Sequence, residues 1–330
     1  MKDPGCRPRG RARRRNGTAA ALFLMFAATA WFPPAAGAYT FAMAGNFGGC
    51  RSLALGGAGV ALGRDSALVW VNPAAPARME GSSMTFEGRK VFPLGYAGDG
   101  VWSGHALGGV MSVGFLYTDA GRTTLNASDG SSRGVNLSRE NMVLVGYAGA
   151  LSSWLSAGFA LRGLDSELVD EYRGSTATFD AGLQAQFTPY IKGGLAVRNA
   201  GGSIVYFEDN IRMPLSLQGG AALAIKYSDL IDTPLLRRFL LIGVVDAVYR
   251  AYDGTTIYRG GIENWLLDIL ALRVGGQLSE TRMLGNLAGG IGIKTEALTN
   301  GSLKLKLDYS IRLFKSGFDL PQTVGLTVSF

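Results

Sequence analysis

The sequence predicts an all-β protein, a transmembrane antiparallel β-barrel that crosses a membrane with its strands. Three observations predict this fold. Many segments alternate apolar and polar residues with a period of two, so each would form a strand with one apolar and one polar face. Glycine is frequent, with 48 in 330 residues, while charged residues make up only 17% of the chain. The N-terminus has the features of a secretory signal, so the strands would fold after export.

The first 38 residues are predicted to be a signal peptide that is cleaved off. Basic residues dominate its start, namely Lys2, Arg7, Arg9, Arg11, Arg13, Arg14 and Arg15. An apolar stretch over residues 18–32 follows, then Pro33-Pro34 and the small residues Ala36-Gly37-Ala38. A basic start, a short apolar stretch and a small-residue site are the three parts of a secretory signal. The alternatives are a membrane helix and a basic nucleic-acid-binding tail, but Pro33-Pro34 ends the apolar stretch early for a span.

The net charge of +7 belongs almost entirely to this N-terminal segment. Cleavage after Ala38 would leave 25 basic and 24 acidic residues, so the exported chain would be nearly neutral. A nucleic-acid partner, which the whole-chain charge suggests, is therefore not expected. Two cysteines and one histidine also exclude a disulfide scaffold and almost any Cys/His metal site. We expect neither a metal nor a cofactor, and no catalytic residues.

Residues 39–80 lack the pattern of a membrane strand and are expected to form a separate N-terminal segment. They are rich in Gly and Ala, and their last part contains the run Asn72-Pro73-Ala74-Ala75-Pro76. Residues 81–330 would then form the barrel.

Thirteen segments of residues 81–330 are strand candidates. The clearest alternation is in 176–187, 215–227, 302–313 and 323–330. The weaker candidates are 82–91, 105–118, 139–150, 154–164, 190–198, 239–250, 255–268, 270–278 and 284–294. Because single-chain bacterial barrels have even strand numbers, one strand is missed or one is surplus. The first expectation is therefore 14 strands and the second is 12.

Residues 141–161 carry no charge, so they fit either a membrane helix or two strands. Their glycines and Ser152-Ser153 favour two strands joined by a tight turn. Residues 119–138 and 165–174 are polar and are expected to form long loops.

Alternating strands occur in soluble sandwiches as well as in membrane barrels. In a sandwich the apolar faces meet in a core, whereas in a barrel they face lipid and the polar faces line the lumen. The export signal and the many strands of about ten residues favour the barrel. The chain also ends on an aromatic residue, Phe330, which closes an alternating strand. That ending resembles the assembly signal of Gram-negative outer-membrane barrels, and it implies the barrel-assembly machinery as a partner.

A specific resemblance appears over residues 50–79. The run Arg51-Ser52-Leu53-Ala54-Leu55-Gly56-Gly57-Ala58-Gly59-Val60-Ala61 is followed by Asp65-Ser66-Ala67 and Trp70-Val71-Asn72-Pro73-Ala74. This pattern resembles the N-terminal signature of the PorV/PorQ family, which is similar in turn to the FadL-like fatty-acid transporter barrels. The resemblance implies a 14-stranded barrel whose N-terminal segment, residues 39–80, folds inward as a short plug.

A plug of this kind needs glycines for close approach to the wall, which Gly56 and Gly57 would supply. It also needs polar groups that pair with the lumen. Arg51 and Asp65 could pair with charges on the polar face of 302–313, namely Lys304, Lys306, Asp308 and Arg312. The alternative is that these charges simply face water in the lumen. Asn72-Pro73 is expected to fix a turn.

Three functional hypotheses follow. The first is a non-enzymatic outer-membrane barrel, PorV/PorQ-like and FadL-like, that binds or passes a hydrophobic small molecule or serves a secretion system. The second is a structural or interaction barrel without transport. The third is a lipid-modifying enzyme that uses His105 as a base, with Ser103 as the nearest serine. Outer-membrane lipids, a hydrophobic ligand and secretion-system components are the partners that these hypotheses imply.

Overall fold

The computed structural model describes residues 48–91, 95–126, 129–206, 209–231, 233–279, 282–295, 303–314 and 320–330. The predicted signal peptide, residues 1–38, lies outside the described residues, as do residues 39–47 of the predicted plug. No helix among the described residues is both long enough and apolar enough to span a membrane.

Fourteen strands form one closed antiparallel barrel, which confirms the predicted fold and the first expectation for the strand number. In chain order they are β1 Ser83–Val91, β2 Gly95–Ala106, β3 Gly109–Asp119, β4 Ser138–Ala150, β5 Leu155–Leu168, β6 Tyr172–Gln186, β7 Ile191–Ala200, β8 Ser216–Lys226, β9 Leu240–Arg250, β10 Thr255–Leu266, β11 Leu270–Ser279, β12 Arg282–Lys294, β13 Lys304–Phe314 and β14 Gln322–Ser329. Each strand pairs with its neighbours in sequence, and β14 pairs with β1 to close the barrel.

The strand that the sequence analysis missed is β2. Its twelve residues contain four glycines, which interrupt the alternation that identified the other strands. The candidate 105–118 was wrong at its start, because His105 and Ala106 end β2 and a turn at Leu107 and Gly108 precedes β3. The charge-free region 141–161 forms parts of β4 and β5, joined by the turn after Ala150, as predicted.

The two ends of the barrel differ. At the terminal end, where β1 begins and β14 ends, the connections after β2, β4 and β6 are short turns. At the opposite loop end, two hairpins extend the connections. Strands Arg122–Asn126 and Ser132–Asn136 form the first, and Ser203–Tyr206 and Asp209–Arg212 form the second, hereafter the lumen hairpin. The predicted long loop 165–174 is wrong, since β5 reaches Leu168 and β6 starts at Tyr172.

The barrel is apolar outside and polar inside. In β5, Phe159 and Leu161 are exposed on the outer face, whereas Arg162 and Ser166 are buried on the inner face. The same arrangement occurs in β10, where the apolar Ile262 is exposed outside and the charged Glu263 is fully buried inside. A soluble β-protein would place its apolar faces together in a core, so this arrangement matches the barrel alternative rather than the sandwich.

The remaining elements that the structure describes are one short α-helix and four 3₁₀ turns. An α-helix, α1, spans Cys50–Ala54, and single 3₁₀ turns span Ser66–Trp70 and Ala75–Arg78. All three belong to the part of the chain that precedes β1. Two further 3₁₀ turns, Tyr227–Asp229 and Leu236–Arg238, lie between β8 and β9 at the terminal end.

Candidate functional site in the barrel lumen

Residues 48–82, hereafter the inner segment, lie inside the barrel. Their side chains bond to wall strands on several sides: Arg51 to β10, Asp65 to β13, Asn72 to β6 and Arg78 to β5. Because these strands are spread around the closed barrel, the segment must cross the lumen.

Local sequence determines how the inner segment folds. Gly56 and Gly57 have φ of +73° and +87°, a backbone region that glycine adopts without strain. Asp65 caps the following 3₁₀ turn, because its Oδ1 accepts a hydrogen bond from the Ala67 N–H at 3.2 Å. Asn72 Oδ1 accepts the Ala74 N–H at 3.0 Å, which fixes the predicted turn around Pro73.

Glycines of the wall, and not only those of the inner segment, allow the close fit. A Cβ atom at certain inward positions would overlap backbone or side-chain atoms of the inner segment; these are Gly158, Gly182, Gly194 and Gly275. At Gly194, for example, the added atom would collide with the Val60 carbonyl. Gly56, which was predicted to allow close approach together with Gly57, does lie against the backbone of Gly276.

Six charged side chains form a closed ring of ion pairs, hereafter the charge ring, between the inner segment and β10, β11 and β13. The members are Arg51, Glu263, Arg273, Asp308, Lys306 and Asp65. The tightest links join Arg51 Nη2 to Glu263 Oε2 at 2.6 Å and Arg273 Nη1 to Asp308 Oδ1 at 2.7 Å. Lys306 Nζ lies 2.9 Å from Asp65 Oδ2, and Arg51 Nη1 closes the ring at 3.9 Å from the same oxygen.

The charge ring keeps Asp65 ionised. Burial by itself raises the pKa of this carboxyl, but the charges of Lys306 and Arg51 outweigh burial and lower the pKa to about 2. With three cations and three anions alternating, the ring is neutral as a whole, which makes burial of its members tolerable.

Cys50 is an inert thiol at the start of α1. Its N–H donates to Glu87 Oε1 at 2.7 Å, and its Sγ lies 3.5 Å from the Thr323 carbonyl. Burial, followed by the negative charge of Glu87, raises the pKa of the Cys50 thiol to about 12. The thiol is therefore protonated at neutral pH and is not nucleophilic.

A second set of anchors holds the backbone of the inner segment. Asp246 Oδ2 accepts the N–H groups of Gly59 and Val60 at 2.6 and 3.0 Å. Asn72 Nδ2 donates to the Val60 carbonyl at 2.7 Å. Arg162 donates to the Trp70 carbonyl at 3.1 Å and pairs with Asp180. These contacts satisfy backbone groups that would otherwise be buried without partners.

An apolar cluster fills the lumen between the inner segment and the lumen hairpin. It contains Trp70 on the inner-segment side; Val101, Leu116, Met142, Leu144 and Leu164 from β2 to β5; and Ile204, Tyr206 and Met213 on the hairpin side. Trp70, Leu144 and Ile204 are completely buried. The lumen hairpin thus folds into the mouth of the barrel and covers an apolar surface there.

A separate apolar hollow of about 620 Å³ lies in the wall formed by β8 to β12. Small residues such as Ala221, Gly243 and Gly260 leave this space, and the exposed side chains of Ile262 and Val274 border it. The hollow is thus open to the apolar exterior.

The predicted lumen residues divide into two groups. The structure brings Arg51, Asp65, Lys306 and Asp308 together in the charge ring. Lys304 is not a member of the ring; it is exposed where β13 begins at the terminal end. Arg312 also lies away from the ring. It lies nearer the loop end of β13, where it borders a small gap together with Gly57 and Arg259.

Phe330 follows the last strand. Its N–H donates to the Ser82 carbonyl at 2.9 Å, and its own carbonyl accepts the Ser82 N–H at 2.8 Å. The side chain is 57% exposed on the barrel exterior. Its predicted role as an assembly signal stays a prediction.

Several of the charged anchors were not predicted from the sequence. Glu263, Arg273 and Asp246 lie on strands that were only weak candidates, and nothing in the sequence gives their register against Arg51 or Val60. A signal was present, however. Each is a charge at an alternating position within a largely apolar segment, which is typical of a lumen-facing side chain.

The geometry around His105 does not assemble a catalytic pair in the described part of the chain. His105 Nε2 lies 3.0 Å from the Met79 carbonyl at the terminal end. Ser103 Oγ is buried and bonds to Ser112 Oγ at 2.8 Å. Each candidate group is therefore engaged with another partner.

Comparison with protein-family models finds no match, and comparison with curated protein sequences finds no relative. Solved structures do share the fold. The toluene transporter TbuX of Ralstonia pickettii has a TM-score of 0.56 at 13% identity, covering 86% of this chain and 97% of that one. The toluene transporter TodX of Pseudomonas putida gives 0.56 at 12% identity, with coverages of 85% and 96%. A FadL homologue of Pseudomonas aeruginosa gives 0.54 at 9% identity, with coverages of 86% and 98%. The chain thus has the barrel fold of FadL-like outer-membrane proteins.

Proposed function

We propose that this protein is a non-catalytic outer-membrane channel that binds and passes hydrophobic small molecules. The observation that carries the proposal is the apolar cluster between Trp70 and the lumen hairpin. A lumen that served only water or ions would be lined by polar side chains throughout, whereas here one zone is apolar and is covered by the lumen hairpin, which a guest molecule would displace. The solved barrels of similar fold include proteins described as toluene transporters, which supports the same ligand class.

The location proposed is the outer membrane, reached after cleavage of residues 1–38. The apolar outer face, with exposed side chains such as Phe86, Phe115, Val245 and Leu307, supports contact with lipid tails. Only a closed barrel lets strands satisfy every backbone group in lipid, and this barrel is closed.

In the proposed mechanism, the lumen has a closure on each side of the apolar cluster. The lumen hairpin covers it from the loop end through Ile204, Tyr206 and Met213. The inner segment, acting as the plug, closes it from the terminal end and is held by the charge ring. A hydrophobic molecule would first replace the contacts of the hairpin, and then pass when the inner segment shifts or loosens.

Uptake of toluene into proteoliposomes tests this function. Leu144→Gln places an amide in the apolar cluster, so we expect toluene uptake to fall several-fold. Leu125→Gln is the matched control, because Leu125 is exposed on the first hairpin, outside the lumen. Toluene uptake by this variant should equal uptake by the wild type. Equal uptake by wild-type and protein-free vesicles would end the proposal.

The resemblance of residues 50–79 to the PorV/PorQ signature supports a second candidate, a membrane component of a secretion system. In that role the barrel would bind protein partners without passing small molecules. Mild cross-linking in cells separates the two: specific cross-links to a large secretion component, together with absent toluene uptake, would favour this second role.

A further inference from the structure

Glu140 is a buried carboxyl at the loop-end border of the apolar cluster. It lies in β4, faces the lumen and is only 4% exposed. Directly across the ladder lie Thr118 of β3 and Ser166 of β5, which are also buried. These three side chains form one polar row of the inner wall.

The next inward row toward the terminal end is apolar. It consists of Leu116, Met142 and Leu164, all members of the apolar cluster. Tyr206, from the lumen hairpin, packs in the same apolar cluster as this row. Glu140 is therefore positioned where an apolar surface meets the underside of the hairpin.

The Glu140 carboxyl group has no counter-ion within the residues that the structure describes. Its Oε2 atom accepts no hydrogen bond there, although the atom is fully removed from solvent. The inward-facing cation of neighbouring β5, Arg162, is two rows away and already pairs with Asp180. A buried carboxyl in these surroundings gains free energy from any donor that reaches it.

We infer that Glu140 is the polar anchor of a ligand site, and that the site takes a small apolar molecule carrying a primary amine. The inference rests on the proposed function and specifies its ligand class. The apolar body would lie on Leu116, Met142 and Leu164 in place of hairpin side chains. Its ammonium group would donate a charge-assisted hydrogen bond to Glu140, with the Ser166 and Thr118 hydroxyls beside it.

This chemistry predicts an order of affinity for three ligands of similar size. Benzylamine supplies both the ring and the cation, so it should bind best. Toluene supplies only the ring, and a missing charge-assisted bond should cost roughly ten-fold in affinity. Benzoate brings a second carboxylate next to Glu140, so it should bind least.

Titration calorimetry of the full barrel in detergent tests this order. Wild type should bind benzylamine about ten-fold more tightly than toluene. Glu140→Gln is nearly isosteric, and it should remove that preference, so that benzylamine and toluene bind with similar affinity. Glu80→Gln is the control, since Glu80 is exposed at the terminal end and its variant should keep the preference.

Heat-modifiable migration on gels confirms that each variant is folded. If Glu140→Gln does not fold, Glu140→Asp serves instead: it keeps the carboxyl but withdraws it by one methylene, so the preference should shrink. Equal wild-type affinity for benzylamine and toluene, or a preference that survives Glu140→Gln, would overturn the inference alone. Absence of binding for all three ligands would overturn the proposed function with it.

Discussion

At the scale of single residues, the charge ring decides how firmly the inner segment is held. Asp65 accepts from Lys306 at 2.9 Å and has a side chain that is only 6% exposed. Asp65→Asn leaves Lys306 and Arg51 with one anion fewer in a buried site. Removing one partner of a buried ion pair typically costs about 3–5 kcal/mol.

We therefore expect Asp65→Asn to lower the free energy of opening of the inner segment by that order. Hydrogen exchange of the Gly59 and Val60 amides, which Asp246 holds in the folded protein, reports the opening. Glu80→Gln, which alters an exposed ion pair with Arg64, should leave exchange unchanged. Unchanged protection in Asp65→Asn would show that the ring does not hold the segment.

The same residue sets a pH dependence. The pKa of Asp65 in the folded protein is about 2, below its ordinary value of 3.8. A lowered pKa means that the carboxylate stabilises the fold fully above about pH 4, and that this contribution is lost as the pH falls toward 2. The difference in stability between wild type and Asp65→Asn should be constant from pH 8 to 5 and should shrink below pH 4. Denaturant midpoints measure it; a difference that already shrinks at pH 6 would contradict the assignment.

Wall glycines make a further residue-scale prediction. Gly194→Ala would drive a methyl group into the Val60 carbonyl. We therefore expect the free energy of unfolding to fall by about 1–3 kcal/mol. Gly163→Ala is the matched control, because a Cβ at Gly163 meets no atom within 4 Å. Thermal unfolding followed by gel migration compares the two. Equal midpoints would mean that the inner segment does not press against β7.

At the scale of elements, the lumen hairpin is the candidate lid of the apolar cluster. Adjacent residues of its first strand point in opposite directions: Ile204 is completely buried, whereas Val205 is 54% exposed. Ile204→Ser should weaken the hairpin's contact with the cluster and raise the initial rate of toluene uptake, while Val205→Ser should not change it. A slower or unchanged rate in Ile204→Ser would argue that the hairpin does not limit entry.

The elements also show what a sequence can and cannot predict. Strands such as β13 and β14 were evident because one face is apolar throughout, and lipid enforces that pattern on every outward residue. Strand β2 was missed because Gly98, Gly100 and Gly104 remove side chains from the pattern. The positions of Lys306 and Asp308 beside Asp65 could be anticipated from one strand, but Glu263 and Arg273 could not. The contact of Glu263 with Arg51, and that of Arg273 with Glu263, depend on strand order and register, which are set by contacts between residues distant in sequence.

At the scale of the whole molecule, the barrel separates three environments. Its exterior is apolar and suited to lipid, most of its lumen is charged and bound to the inner segment, and one zone of the lumen is apolar again. The first two environments are those expected of a membrane barrel that holds a segment of its own chain inside the lumen. The third does not, because a wall that only had to hold the inner segment could do so with polar side chains throughout.

The central claim is that this third environment receives hydrophobic molecules. Anomalous diffraction from crystals of the barrel soaked in bromobenzene locates the bound molecule directly, because bromine marks its position. We expect a bromine peak between Trp70 and Ile204, lost in Leu144→Gln crystals. Peaks confined to the outer hollow beside Gly243 and Gly260, with none in the lumen, would contradict the account.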